Sequence, residues 1–315
     1  MLDFVITDAP TTSTVSTEFG IDDKRINYLF AMFLLVVFCS SLIGDSIILA
    51  ASILPHGIRL NKFIVTVMQH IAVSDLISCF SFVLPTAVSM ISNRWVVKGV
   101  LSYIRLFTDM AVFGANAMLI CSLSVSKLFL LKHPTQTPKW TVERAHIVCA
   151  IIWLFASIFP ILYFVFDGME SFKWMYKNSS PLDYLAYFRI GCTQVLPTLI
   201  MIVTTVLILC HLVEARRIAR RGGGRRRLRG VATVVITVSV YCVSLLPTTW
   251  TYIYSYVDRK ADLILLSWIS TCFTGLNIMS HIYVYSLTIP SLREFIRTKI
   301  LRRPSFKSLF DATRR

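Results

Sequence analysis

Charge is scarce in this sequence, at 16% of residues, where a soluble protein carries about 25%. Acid is scarcer than base: 17 Asp and Glu stand against 32 Lys and Arg, a net charge of +15. The eight cysteines, at 39, 79, 121, 149, 192, 210, 242 and 272, all lie inside or at the margin of apolar runs. That excludes a loop disulfide framework, and the absence of Cys-x-x-Cys spacing excludes a zinc site of that type. In apolar helices such cysteines are small fillers. No basic-then-apolar leader opens the chain, so the first apolar run is expected to act as the signal-anchor. No internal repeat appears, against most transporter folds. The basic surplus alone would suit nucleic acid or an anionic membrane surface. The apolar runs decide for membrane, and no nucleic-acid partner is expected.

What is abundant is apolar length. A hydrocarbon core about 30 Å thick needs roughly 20 apolar helical residues. Seven such runs occur, at about 27–53, 62–91, 101–131, 145–166, 187–212, 231–256 and 262–287. The expected architecture is an all-α membrane protein, a seven-transmembrane helix bundle with a short amphipathic eighth helix. Residues 1–26 form a polar N-terminal tail, 27–288 the transmembrane domain, and 289–315 the amphipathic helix and a basic tail. The third run carries Thr108, Asp109, Asn116, Ser122, Ser124 and Ser126, which puts it at the bundle centre, away from lipid.

Loops 54–61, 132–144, 213–230 and 288–315, with Lys62 and Lys127, hold 22 of the 32 Lys and Arg. The positive-inside rule places that side in the cytoplasm and the N-terminus outside. The expected location is the plasma membrane, multi-pass. Asn178-Ser179-Ser180, in a loop assigned to the outside, is a glycosylation sequon, weakened by Pro181 directly after it. The run from Arg216 through Gly222-Gly223-Gly224 to Arg227 breaks helix five from helix six. Its arginines attract anionic inner-leaflet lipid, each by about 1 kcal/mol, or dock a partner protein; the two are compatible. After helix seven, Leu292, Phe295, Ile296 and Ile300 share one face, as in a helix lying on the membrane.

Polar residues within the runs mark function, because they are costly there. They are Gly44-Asp45 in helix one, Ala72-Val73-Ser74-Asp75-Leu76 in helix two, and Ser124-Val125-Ser126-Lys127-Leu128 in helix three, with His133-Pro134 after it. Trp153 and Pro160, Pro197 and Pro247 mark helices four, five and six. Helix seven holds Asn277, then His281-Ile282-Tyr283-Val284-Tyr285, then Pro290-Ser291-Leu292-Arg293. In order and spacing these resemble a divergent rhodopsin-like (class A) G-protein-coupled receptor over about residues 28–300. Helix two, His70 through Asp75, and the stretch Asn277 to Arg293 resemble the family most. Several motifs depart from it: Gly44-Asp45 stands for Gly-Asn, Ser126-Lys127-Leu128 for Asp-Arg-Tyr, Leu245 for a Trp, His281 through Tyr285 for Asn-Pro-x-x-Tyr, and Ser102 for a Cys.

The resemblance implies a receptor with no catalytic chemistry and no cofactor, converting an extracellular ligand into activation of a heterotrimeric G protein. It also implies three sites. The first is a core cluster, Asp45, Asp75, Asn116, Asn277 and His281, converging at mid-membrane. Three readings stay open for it: a sodium ion at Asp75 perturbed by His281, a proton-sensitive switch, or a hydrated polar network. The second is a coupling switch of Ser126, Lys127, Leu128, Arg227 and Tyr285. Lys127 and Arg227 repel, which predicts a weak resting lock, unless another contact holds the resting state or coupling is lost. The third is an outer pocket of Asp109, Phe113, Arg189, Thr193, Thr248, Thr249, Tyr252 and Thr271. Either Arg189 pairs with Asp109, or Asp109 takes an amine, or the two together take a zwitterion or small peptide. The altered motifs also suit a non-signalling relative acting as a partner or decoy. An intramembrane protease is disfavoured by the lack of GxGD or GxSG, and a transporter by the lack of broken-helix pairs. No Lys occurs in 262–287, so a retinal-binding opsin is excluded.

Overall fold

A computed structural model describes residues 24–54, 61–93, 96–97, 99–132, 141–168, 181–219, 236, 238–244, 247 and 264–300. Helix α1 is Lys24–Ile53, α2 is Lys62–Ser92, α3 is Val100–Lys132 and α4 is Val142–Gly168. Helix α5 runs through Pro181–Ile190, Gly191–Val195 and Leu196–Ala219. The described residues of α6, at 236, 238–244 and 247, are helical. Helix α7 is Ile264–Thr288, and α8 is Pro290–Phe295 continued by Ile296–Ile300. This is a seven-helix bundle with a short eighth helix. The helices form because the sequence leaves them no alternative in lipid, where every backbone N–H and C=O must be bonded within the segment.

The helix ends follow local chemistry. Asn61 caps α2, its Oδ1 accepting the Phe63 N–H at 2.9 Å. Asn93, at φ 46°, closes α2 in the left-handed conformation that Asn tolerates. Two membrane helices widen by one residue just before a proline: α2 over Cys79–Val83 ahead of Pro85, and α5 over Gly191–Val195 ahead of Pro197. A proline donates no N–H, so the turn before it loses a hydrogen bond and can expand. The Leu84 N–H bonds Cys79 O and the Leu196 N–H bonds Gly191 O, five residues back. Both wide turns carry site residues, Ser81 in the first and Thr193 in the second.

Helix α3 packs against α2, α4 and α5, while α1 packs against α2 and α7. Over its most apolar window α3 is 56% buried, against 28% for α1 and for α4, so its polar residues do face the bundle centre. Large apolar side chains such as Leu29, Ile43, Ile151 and Leu154 point outward, where lipid would meet them. Two apolar clusters form the interior. One, toward the helix-three N-terminus (the end assigned to the outside), contains Leu34, Val37, Cys79, Val83, Met90, Trp268 and Ile278. The other contains Ile48, Val67, Ile71, Leu119, Ile120, Tyr241, Tyr285 and Leu292. Between them, along α1, α2, α3 and α7, lie Asp45, Asp75, Asn116 and His281.

The apolar run expected at about 187–212 matches the apolar span Tyr187–His211, and the helix continues back to Pro181 through residues too polar to extend that run. In α8, Leu292 is fully buried in the core, while Ile300 is 45% exposed.

Helices α1 and α7 meet at Gly44. A Cβ there would lie 2.6 Å from the Ile282 side chain, so no larger residue fits without movement. Gly44→Ala is expected to destabilise by about 1–3 kcal/mol, the usual cost of overpacking. Adding Ile282→Ala should recover most of the loss. Thermal melting of the solubilised protein checks both; a Gly44→Ala chain that melts like wild type contradicts this contact.

Candidate functional site

Asp75, on α2, has no solvent exposure. A buried carboxylate needs donors on its oxygens or it costs several kcal/mol. Two neighbouring helices supply them. From α3, Asn116 Nδ2 donates to Asp75 Oδ1 at 2.7 Å. From α7, His281 Nδ1 lies 2.5 Å from Asp75 Oδ2, a separation that requires a proton between the two atoms. The imidazole is itself buried, and its other face stacks on Tyr285, centroids 5.9 Å apart and planes 12° apart. On α1, Asp45 accepts the Ser41 hydroxyl one turn away and stands within electrostatic reach of Asp75.

Of the five residues expected to converge, Asp75, Asn116 and His281 are joined directly, and Asp45 joins through proximity alone. Asn277, one turn before His281 on α7, is buried, and its Oδ1 has no partner among the described residues. Asn116 Oδ1, Ser74 Oγ and His281 Nε2 are likewise unpartnered there. The sequence does not single out Ser41; a serine one turn before Asp45 is the available signal.

At the other end, Asp109 on α3 accepts Ser81 Oγ at 3.0 Å and faces Arg105 Nε at 3.4 Å. Arg105 Nη2 donates to Thr86 Oγ1 at 3.0 Å, and the guanidinium lies 5.5 Å from the Phe82 ring centroid. Arg105 is only 7% exposed. The cation beside Asp109 is therefore Arg105 and not Arg189, which corrects that expected pairing. Sequence reasoning misses Arg105 because it counts among the helix-end charges; its position four residues before Asp109, one turn on the same face, is the signal. Phe113, one turn deeper, packs edge-on against Phe82, centroids 5.4 Å apart.

Arg189 is buried near the start of α5, and one turn later Thr193 Oγ1 donates to the Arg189 carbonyl at 2.9 Å. A Cβ on Gly114 would touch Thr193 at 3.3 Å, so this face of α5 lies close against α3. The helical rise puts Arg189 about 6 Å nearer the α5 N-terminus than Thr193. Thr271 is buried on α7. Thr248, Thr249, Tyr252 and Leu245 lie outside the described residues.

At the opposite end, Ser126 Oγ donates to Ser122 O at 2.6 Å, turned back on its own helix. Lys127 is partly buried, and among the described residues no carboxylate pairs with it. Leu128 packs against the inner apolar cluster, and Tyr285 is buried with its hydroxyl unpartnered among the described residues. Arg227, His133, Pro134, Asn178 and the arginine run from 220 to 227 lie outside the described residues. All eight cysteines are free.

A sequence model of the 7 transmembrane receptor (rhodopsin family) matches residues 48–286. The chain belongs to the rhodopsin family of seven-transmembrane receptors. It is a multi-pass membrane protein.

The receptor is 24% identical to purinoceptor 2 of Mus musculus over 207 residues, 63% of this chain and 56% of that protein. It is 26% identical to purinoceptor 4 of Rattus norvegicus over 195 residues, 58% and 52% of the two chains. It is 24% identical to the uracil nucleotide/cysteinyl leukotriene receptor of Homo sapiens over 272 residues, 80% and 71%. The receptor thus spans a little over half the length of the purinoceptors that it matches.

The core triad carries a stability prediction. Asp75→Ala should leave His281 buried without its acceptor and cost about 3–5 kcal/mol. His281→Leu combined with Asp75→Leu should cost less than the sum of the two single changes, with a coupling of about 1–3 kcal/mol. Melting curves of the four proteins measure it. Additive losses would show that the two side chains do not interact.

Proposed function

We propose that the receptor binds an anionic, nucleotide-like ligand from the extracellular side and activates a heterotrimeric G protein. The observation that carries this reading is the occupation of Asp109. A carboxylate that receives an ammonium must offer its oxygens, and here Ser81 and Arg105 already hold them. The simple amine reading loses its acceptor. Arg189 is buried on α5 one turn before Thr193, which lies close against α3, and a guanidinium is suited to phosphate or carboxylate oxygens. The names of the relatives, purinoceptor and uracil nucleotide receptor, belong to the same chemical class.

Ligand binding shifts the population between two helix arrangements, and the G protein stabilises one of them. At the cytoplasmic end, Ser126 removes the acid beside Lys127, and no described carboxylate replaces it. This favours a loosely held resting state with basal coupling. In cells, Lys127→Ala should lower basal G-protein activation. Equal activity in both, at matched surface expression, contradicts that part.

The ligand class is tested by G-protein activation in cells expressing the full chain, challenged with nucleoside di- and triphosphates and, separately, with biogenic amines. A phosphate agonist whose potency falls more than tenfold in Arg189→Ala, from loss of about 2 kcal/mol or more of charge pairing, is the expected result. An amine agonist abolished by Asp109→Asn and indifferent to Arg189→Ala would contradict the proposal. Silence toward every ligand, with surface expression confirmed, would favour the non-signalling partner.

A further inference from the structure

The core of the bundle sets an electrostatic problem independent of what the outer pocket binds. Asp45 and Asp75 come from adjacent helices, are essentially unexposed, and feel one another. Two negative charges there require a cation or a proton close by. The family resemblance implies a sodium ion at Asp75. A hard cation of that kind takes oxygen ligands, and a carboxylate oxygen would have to be one of them.

At Asp75 the residues present already engage both oxygens. Oδ1 is bonded by Asn116 Nδ2 and Oδ2 by His281 Nδ1. The fully buried oxygens of the cluster left without partners among the described residues, Asn116 Oδ1, Asn277 Oδ1 and Ser74 Oγ, are neutral. Asp45 has Ser41 on Oδ2. Nor is the imidazole free to swing aside. It is 1% exposed, and Tyr285, itself buried one turn later, lies stacked against it.

We infer that His281 occupies from within the protein the position opposite Asp75 that a sodium ion would fill, so that this receptor's core takes no sodium. A donor fixed to α7 replaces a dissociable one. The tie between α2 and α7 then does not depend on the salt outside the cell. The altered helix-seven motif supplies the imidazole that meets Asp75, and the altered helix-one motif places a second buried carboxylate on α1.

The test uses the purified full chain in detergent or nanodiscs. Its melting temperature is compared in sodium chloride and choline chloride at equal concentration, about 150 mM, with potassium chloride as a further control. Wild type is expected to melt within about 1 °C in all three. His281→Asn, which opens the position and adds an oxygen, is expected to gain a sodium-specific rise of about 3–6 °C, and Asp75→Asn in the same chain should remove it. A sodium-specific rise in wild type would overturn the inference, as would a folded His281→Asn protein indifferent to sodium. If His281→Asn cannot be recovered folded, equilibrium binding of radioactive sodium to wild type decides. Saturable binding that Asp75→Asn abolishes would refute the inference, and no saturable binding would support it.

Discussion

The contact between Asp75 and His281 is the constraint on which the arrangement of the bundle turns. A carboxylate in the middle of an apolar bundle, with water excluded, interacts far more strongly with its neighbours than it would at a surface. It has to be met by donors, and those donors come from different helices. Asn116 and His281 therefore fix where α3 and α7 stand relative to α2. The polar layer they form lies between two apolar clusters, one toward each end of the bundle. Apolar packing in lipid gives helices little preference for one register over another, because lipid tails are as apolar as leucine. A short directional contact gives them one. The close approach of α1 to α7 at Gly44 and Ile282 then holds Asp45 near the same layer.

The outer site is built by a related device. The wide turn ahead of Pro85 carries Ser81 and Phe82, which meet Asp109 and Arg105 of α3. A proline in a membrane helix is usually a place where hydrogen bonds must be rearranged, and here the rearrangement coincides with side chains that contact a neighbouring helix. The result is an acid and a base that satisfy one another within the protein. On α5, Arg189 is buried one turn before Thr193, which lies close against α3. The core tie is the element through which a ligand in that pocket would act on the cytoplasmic end, since α3 and α7 both run from the pocket through the polar layer to Lys127 and Tyr285. Any ligand effect must come from different affinity for the two arrangements of those helices.

Much of this is legible in the residues. Apolar length locates the helices to within a few positions, with α2 and α3 close to their observed ends, because a lipid core imposes that length directly. Polarity marks Asp75, Asn116 and His281 within their apolar runs, and the family resemblance brings them together. What cannot be read is which group answers which. Arg105 looks like one more basic residue near a helix end, and only the fold shows it buried under Phe82 and Thr86. Without that knowledge, Arg189 is the cation that the sequence offers to Asp109. The start of α5 escapes the apolar pattern because Asp183, Tyr184 and Arg189 break that pattern without breaking the helix.

The Asp75–His281 contact can be observed directly by proton and nitrogen-15 NMR of the folded, solubilised receptor labelled at histidine. The six histidines can be told apart by substituting His281→Asn. A short imidazole–carboxylate contact in a site closed to water predicts a slowly exchanging, strongly downfield Nδ1 proton assigned to His281, absent in Asp75→Asn. A His281 signal indistinguishable from that of a solvent-exposed histidine, in a protein shown to be folded, would contradict the account.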